Sequence, residues 1–238
     1  MEVQILSLAL VDIKGLAEIF RKSPFSGQLM TRNRFDEAAA NWDNEPRRVA
    51  LMKTIGEKIV AQVQLTTDMD VFDYGCGTGL VSLYLLPHVR TVTGADNSAA
   101  MLQVLRGKIA ETGLSNMEAV HLDLEHDAVP KNRYHMVVVS MAMHHIRDME
   151  KVLHAFHELL VPDGILCLAD LDTEPGTFHP ADAAESVHHH GFDRNALKQR
   201  LSSVGFTEPN DTTVAKFQKP VEAGGEQEFS IFLITARK

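Results

Sequence analysis

This chain has little basic charge, few cysteines and no long apolar run, and each shortage removes a class of function. Lys and Arg number 23 against 32 Asp and Glu, a formal net charge of -9, and no Lys/Arg cluster stands anywhere along it. A phosphate backbone selects a basic face, so no nucleic-acid partner is expected. The two cysteines, Cys76 and Cys167, lie far apart, which excludes a disulfide framework and a cysteine zinc site. The apolar run at residues 3–11 has no basic segment before it and no small-residue cleavage site after it, and it is too short to span a bilayer. Neither export nor membrane insertion is expected, and a reducing cytoplasm is the simplest compartment. There is no internal repeat, and His188-His189-His190 is the one low-complexity feature.

What is present is an ordinary globular composition, 45% hydrophobic and 23% charged over 238 residues, enough for one large α/β domain. Residues 1–33 form an N-terminal extension with a helical pattern (Ile5, Leu8, Leu16, Ile19, Phe20), broken at Ser23-Pro24 and Gly27. The main domain spans 34–238. A helix is expected to start near Asn44-Glu45-Pro46, a cap followed by an early proline. From Asp70 onward strand and helix alternate. Short apolar strands are predicted at 71–74, 91–96, 118–122, 135–141 and 165–171. Between them fall helices at 79–86, after the Ser98 cap, and at 148–160, the last closed by Pro162-Asp163-Gly164. Strands this apolar belong in a parallel sheet covered on both faces. The tail differs: a helix at 193–204 ended by Gly205, then strands at 213–217 and 229–236 around Gly224-Gly225. With no helix between them, those two strands pair as an antiparallel hairpin or sit apart.

The segment Asp73-Tyr74-Gly75-Cys76-Gly77-Thr78-Gly79 lies directly after a predicted strand and before a predicted helix. Glycines there let the backbone turn sharply and approach a ligand, and the following helix points unpaired N–H groups at the crevice. A dinucleotide fingerprint requires a glycine where Leu80 stands, which disfavours a nicotinamide oxidoreductase. Asp73 would repel a pyrophosphate but suits an ammonium group, so the ligand should carry positive charge near the loop. Asp96, at the end of the second strand, can accept both hydroxyl hydrogens of a ribose. Asp123, after the third strand, can accept from an adenine amino group while Leu124 covers the ring. Three acids ending three successive strands are coherent with one adenosine-containing cation.

The order VFDYGCGTG, GADNSAAML, HLDLEH, MVVVSMAMHHI, LLVPDGILCLADLD resembles the class I S-adenosylmethionine-dependent methyltransferases, in the small-molecule branch that includes ubiquinone/menaquinone-type enzymes. The stretch RFDEAAANWDNEPRR and the ending FSIFLITARK are similar too, so the resemblance runs from about Arg34 to Lys238. It implies a Rossmann-like, doubly wound seven-stranded sheet, mostly parallel with an antiparallel C-terminal strand and helices on both faces. It also implies S-adenosyl-L-methionine as cofactor, held by Asp73, Gly75, Cys76, Gly77, Gly79, Asp96, Asn97, Met101, Asp123, Leu124 and Ser140. Residues 1–29 lie outside the resemblance.

Methyl transfer is an in-line displacement at an already activated carbon, so the protein mainly aligns the nucleophile and excludes water. A base matters only where the acceptor must lose a proton. His144 and His145, after the fourth strand, are the candidate catalytic bases, with holding the loop or packing the cofactor as the other roles for the same pair. The run His188-His189-His190-Gly191-Phe192, with His179 upstream, falls in an insertion that can form a substrate lid. Adjacent histidines cannot all face one metal from a regular element, so no metal site is expected. Phe25, Phe35 and Trp42 either close over the site or pack on the sheet. The expected activity is methyl transfer to a small organic molecule. The alternatives are a non-catalytic adenosyl-binding module and a methyltransferase acting on RNA or protein. The fourth-strand segment lacks the Asn/Asp-Pro-Pro-aromatic run of amino-methylating DNA enzymes, there is no Pro-Cys nucleophile, and two cysteines are too few for arsenic methylation.

Overall fold

The computed structural model describes residues 34–222 and 224–238. The helical pattern expected at the N-terminus, and Phe25 with it, lies outside those residues. Seven strands form one sheet: β1 (Asp70–Tyr74), β2 (Thr91–Asp96), β3 (Met117–His121), β4 (Tyr134–Ser140), β5 (Leu160–Leu171), β6 (Thr207–Pro220) and β7 (Glu226–Arg237). Their order is β3-β2-β1-β4-β5-β7-β6. The first five pair in parallel, and β7 runs antiparallel to both β5 and β6. The order reverses between β1 and β4, the place where open α/β sheets hold ligands beyond the carboxyl ends of their strands. The doubly wound sheet predicted from the sequence is the observed one, hairpin included.

The helices are α1 (Arg34–Ala38), α2 (Pro46–Gln62), α3 (Leu80–Leu85), α4 (Ala99–Thr112), α5 (Met149–Leu159) and α6 (Arg194–Val204). Each of the last three begins at a side-chain cap that accepts a backbone N–H: Ser98 from Met101, Asp148 from Lys151, Asp193 from Ala196. The cap of α2 is Glu45, which accepts from Arg47 N, with Pro46 the first helical residue. α5 buries Val152, Leu153, Ala155, Phe156 and Leu159, one stripe at helical spacing laid on the sheet. Two apolar clusters result, one on each face: Phe72, Tyr74, Val137, Val139 and Phe156 belong to the first, Val71, Val92, Met136, Val138 and Leu102 to the second. Alternate residues of β1 and β4 thus feed opposite cores, the burial on both faces that their unbroken apolar runs require.

Two boundaries differ from expectation for identifiable reasons. Pro162-Asp163-Gly164, read as the turn that ends a helix, lies within β5. Leu160 already pairs with Tyr134, the chain then bulges, and pairing resumes at Met136–Ile165, with Asp163 at φ 62°. β6 is much longer than the predicted 213–217: it is an edge strand with polar residues at most of its exposed positions, so no apolar run marks its length. Among the described residues no helix is long and apolar enough to cross a membrane.

Candidate functional site

The predicted glycine loop connects β1 to α3 at the point where the strand order reverses. Gly75, Gly77 and Gly79 have φ of 68°, 55° and 82°, a conformation side-chain-bearing residues rarely adopt. A Cβ at Gly75 would stand 2.5 Å from the Ala142 Cβ, and one at Gly79 would stand 2.5 Å from Leu105 Cδ1. At Gly77 the nearest atoms would be Trp42 Nε1 at 3.9 Å and Met101 Sδ at 4.0 Å. A Cβ at Gly77 would therefore make only ordinary van der Waals contacts, with Trp42 and Met101, while Gly75 and Gly79 are pinned. The Cys76 side chain turns away toward β2, and burial pushes its thiol well above the usual range, so Cys76 serves the loop through its backbone.

The three acids expected around the loop stand in three different environments. Asp73 is buried, and its Oδ2 accepts a hydrogen bond from Ser82 Oγ at 2.5 Å. Desolvation lifts its carboxyl to about 7, partly offset by the Ser82 bond. Asp96 accepts from Gly77 N through Oδ2 and from Ser98 N through Oδ1, both at 2.8 Å. It thus ties the loop to the first turn of α4, a role the sequence reading missed, and burial raises its pKa as well. An ionised carboxylate offers about four lone pairs, so two remain beyond these bonds. Asp123 accepts from Glu125 N at 2.9 Å and meets His126 Nδ1 at 2.9 Å, at the start of the turn after β3.

Of the other expected cofactor residues, Met101 is buried beneath the loop and Asn97 is exposed beside Asp96. Leu124, expected to cover the adenine ring, follows Asp123. It is 1% exposed, and its side chain lies in the same apolar cluster as Tyr74, whose hydroxyl accepts from Leu124 N at 3.0 Å. Ser140, at the end of β4, is buried with no hydrogen-bond partner for its hydroxyl among the described residues. An unpaired buried hydroxyl beside a glycine loop suits a polar ligand that completes it.

Phe35 lies in α1 and Trp42 in the 3-10 turn Ala39–Asn44 that follows it. Their rings meet edge-on at 5.8 Å, and Phe35 also stacks edge-on against His145 at 5.0 Å. Thr78 donates to Asp43, and Lys108 pairs with the same carboxylate at 2.5 Å. Asp36 accepts from Ser98 Oγ and Ala100 N. Nothing in the spacing of RFDEAAANWDNEPRR marked Asp43 as a partner of the loop 35 residues on, or Asp36 as a partner of the α4 N-terminus 62 and 64 residues on.

Beyond Ser140 the chain turns through Met141, at φ 54°, and His144 is buried against Asp170 of β5. His144 is 1% exposed, and both ring nitrogens are engaged: Nδ1 with Asp170 Oδ1 at 2.7 Å, Nε2 with His179 Nε2 at 3.0 Å. His145 Nδ1 meets the Ser186 carbonyl at 2.6 Å. Desolvation and the neighbouring imidazoles hold His145 near 4 and His179 near 3, so both are neutral at pH 7.

The insertion after β5 is held at its base. Thr173 N bonds to Phe192 O, Glu174 N to His190 O and Phe192 N to Leu171 O. Arg194 clamps Asp172 with two bonds of 2.6 Å and reaches Asp211 and Thr213. The backbone N–H groups of His188 and His189 both bond to the His144 carbonyl, and the His189 ring meets Ile146 O. His190 faces Glu174. The histidine run therefore fastens the segment to the loop after β4, while His179 enters the cluster from farther up the chain.

Residues 71–164 match a family of methyltransferase domains. The chain is similar to an uncharacterised methyltransferase of Schizosaccharomyces pombe, 36% identical over 166 residues that make up 64% of this chain and 58% of that protein. It is similar also to the ubiquinone biosynthesis O-methyltransferase of Salmonella paratyphi A, 30% identical over 102 residues, 43% of this chain and 42% of that one. Phosphoethanolamine N-methyltransferase 2 of Haemonchus contortus, solved in complex with S-adenosyl-L-methionine, superposes with a TM-score of 0.64 at 14% identity, over 86% of this chain and 60% of its own. The chain spans about half the length of the curated relatives it matches. These likenesses agree with the resemblance carried by the five sequence motifs.

Proposed function

We propose that the methyltransferase domain of this chain binds S-adenosylmethionine in the crevice at the end of β1 and transfers its methyl group to a small organic molecule. The observation that carries this reading is the glycine loop, with three left-handed glycines, of which Gly77 alone would meet no close contact if it carried a Cβ. Asp96, Asp73 and the unpaired Ser140 hydroxyl surround it with acceptors suited to a cationic, hydroxyl-rich ligand. When bound, S-adenosylmethionine supplies a methyl group on a sulfonium sulfur. Asp73 orients the ammonium of the methionine part, Asp96 takes the ribose hydroxyls with its two remaining lone pairs, and Asp123 accepts from the adenine amino group. Phe35, Trp42 and the insertion after β5 exclude water and align the acceptor. A small acceptor suits the acidic net charge and the similarity to a quinone-pathway O-methyltransferase.

As a base, His144 acts only through its neighbours, since Asp170 and His179 occupy its two nitrogens. His145 is the more accessible of the pair, but holding near 4 makes it a weak base.

Calorimetric titration with S-adenosylmethionine, S-adenosylhomocysteine and NAD tests the reading. The two sulfur nucleotides are expected to bind at micromolar concentration and NAD not at all. Gly77→Val should abolish the binding, because a branched side chain would crowd the ligand's side of the loop beside Trp42 and Met101; a melting profile reports separately the strain of a side chain at φ 55°. Absence of binding in the parent protein, or normal binding in that variant, would remove the proposal.

The position of Asp73 predicts a pH dependence. Its pKa is raised, so below about 7 the free protein carries it neutral, whereas an ammonium group needs the carboxylate. Affinity should therefore climb with pH, by up to about tenfold per unit below 7, and level off above. Asp73→Asn is expected to flatten that slope. A slope unchanged in the variant would place the titration elsewhere.

A further inference from the structure

His144, His145 and His179 come from two segments 35 residues apart, yet one ring nitrogen of each lies within 4.8 Å of the others. The ring centroids are separated by 4.1, 5.0 and 5.1 Å. We infer that this cluster is a binding site for a divalent metal of the zinc type, with three imidazole ligands and a fourth position left for an oxygen donor.

The second set of contacts carries the case. The Asp170 carboxylate at 2.7 Å can only accept from His144 Nδ1, which leaves Nε2 as the lone-pair nitrogen of that ring. The Ser186 carbonyl at 2.6 Å does the same for His145, leaving its Nε2 to ligate. Metal-bound histidines characteristically donate their other N–H to a carboxylate or a backbone carbonyl, which fixes the tautomer and the ring orientation. Here both supports are already built. Asp170 also accepts from His144 N and is fully buried, so it orients the ring from two sides. The His144–His179 contact, Nε2 to Nε2 at 3.0 Å, shares a single hydrogen. A metal takes the place of that hydrogen when His179 adopts its other tautomer.

The donor set decides the metal. Nitrogen ligands without carboxylate or thiolate favour zinc, cobalt, nickel or iron over magnesium and calcium. Tetrahedral zinc at about 2.0–2.1 Å from each nitrogen requires the ligand atoms to stand about 3.4 Å apart. The 3.0 Å pair is already near that spacing, and His145 and His179 are both part-exposed side chains able to close the rest. Three protein ligands with one open position is the arrangement of catalytic rather than structural zinc. The site adjoins the glycine loop, because Ala142, two residues before His144, packs against Gly75. A hydroxyl bound at the fourth position would lose its proton more readily there. The cofactor reading is not needed for this inference.

The test uses the whole chain, stripped with a chelator and dialysed. Titration with Co²⁺, followed by visible absorption, should give one equivalent with the intense bands of a four-coordinate ion, and Zn²⁺ should displace it. His145→Ala and His179→Ala should each weaken binding by tenfold or more. Asp170→Asn should weaken it about 10- to 100-fold through His144 alone, and His190→Ala should leave it unchanged. S-adenosylhomocysteine titration of the same samples reports the fold and the cofactor loop separately. Absence of cobalt binding in folded protein, or binding that survives the paired His145→Ala and His179→Ala change, would overturn the assignment.

Discussion

Gly191→Ala is expected to lower the melting temperature by roughly 6–12 °C, corresponding to about 3 kcal/mol for a chain of this size. Gly191 has φ +71°, and a Cβ there would fall 2.1 Å from Asp172 O, 2.6 Å from Asp172 C and 2.9 Å from Leu171 O. Those atoms are backbone at the end of β5 and cannot swing aside. Left-handed geometry alone costs about 1–2 kcal/mol for a side-chain-bearing residue, and overpacking adds about 1–3 kcal/mol. Gly113→Ala separates the two contributions. Its φ is +66°, but nothing lies within 4 Å of the added atom, so a loss of about 1 kcal/mol is expected from conformation alone. Thermal melts of the two variants, followed by circular dichroism, check the difference. Equal shifts would mean that residue 191 does not press on residue 172.

Asp96→Ala should reduce S-adenosylmethionine affinity by at least about 100-fold. Hydrogen bonds to a charged group contribute about 1.5–3 kcal/mol each, and two ribose hydroxyls are proposed to donate to this carboxylate. The structure adds a second loss. Without Asp96, the amides of Gly77 and Ser98 give up their acceptor, and the glycine loop loses its tie to α4. Asp96→Asn keeps one acceptor oxygen and should fall between parent and alanine variant. Calorimetry on material with an unchanged melting profile makes the measurement. An alanine variant that binds as the parent does would show that the ribose sits elsewhere.

The sheet was legible because its strands are short apolar runs set off by glycine, and because each capped helix announced itself by Ser98, Asp148 or Asp193. Periodicity serves poorly where the backbone leaves regular pairing, as at the bulge after Leu160, and where an edge strand stays half-wet, as in β6. Within the candidate site, Asp73, Asp96 and the glycines stood out because one turn carries them together. Three-dimensional partnerships did not. Nothing in the spacing of Ser82, Asp43 or Asp36 identifies the groups they bond to. His179 was read with its nearer neighbours His188, His189 and His190, whereas folding delivers it to His144 and gives the run a fastening role. Asp170, buried in a strand that reads as apolar, supplied no signal of the histidine it orients.

The insertion between Asp172 and Phe192 begins and ends at one place, tied there by backbone bonds and by the Arg194 clamp. This contour has adjacent ends and is fastened again along its length, at His188 and His189 to the loop after β4 and at Thr177 to Gln227 of β7. Closure entropy grows only logarithmically with length, about 0.6 kcal/mol for each doubling. Lengthening the chain between these fastenings therefore comes at small expense to the fold. The length of this insertion and the integrity of the sheet are thus separable traits in this architecture, and change can gather between the fastenings while the two ends keep their ties.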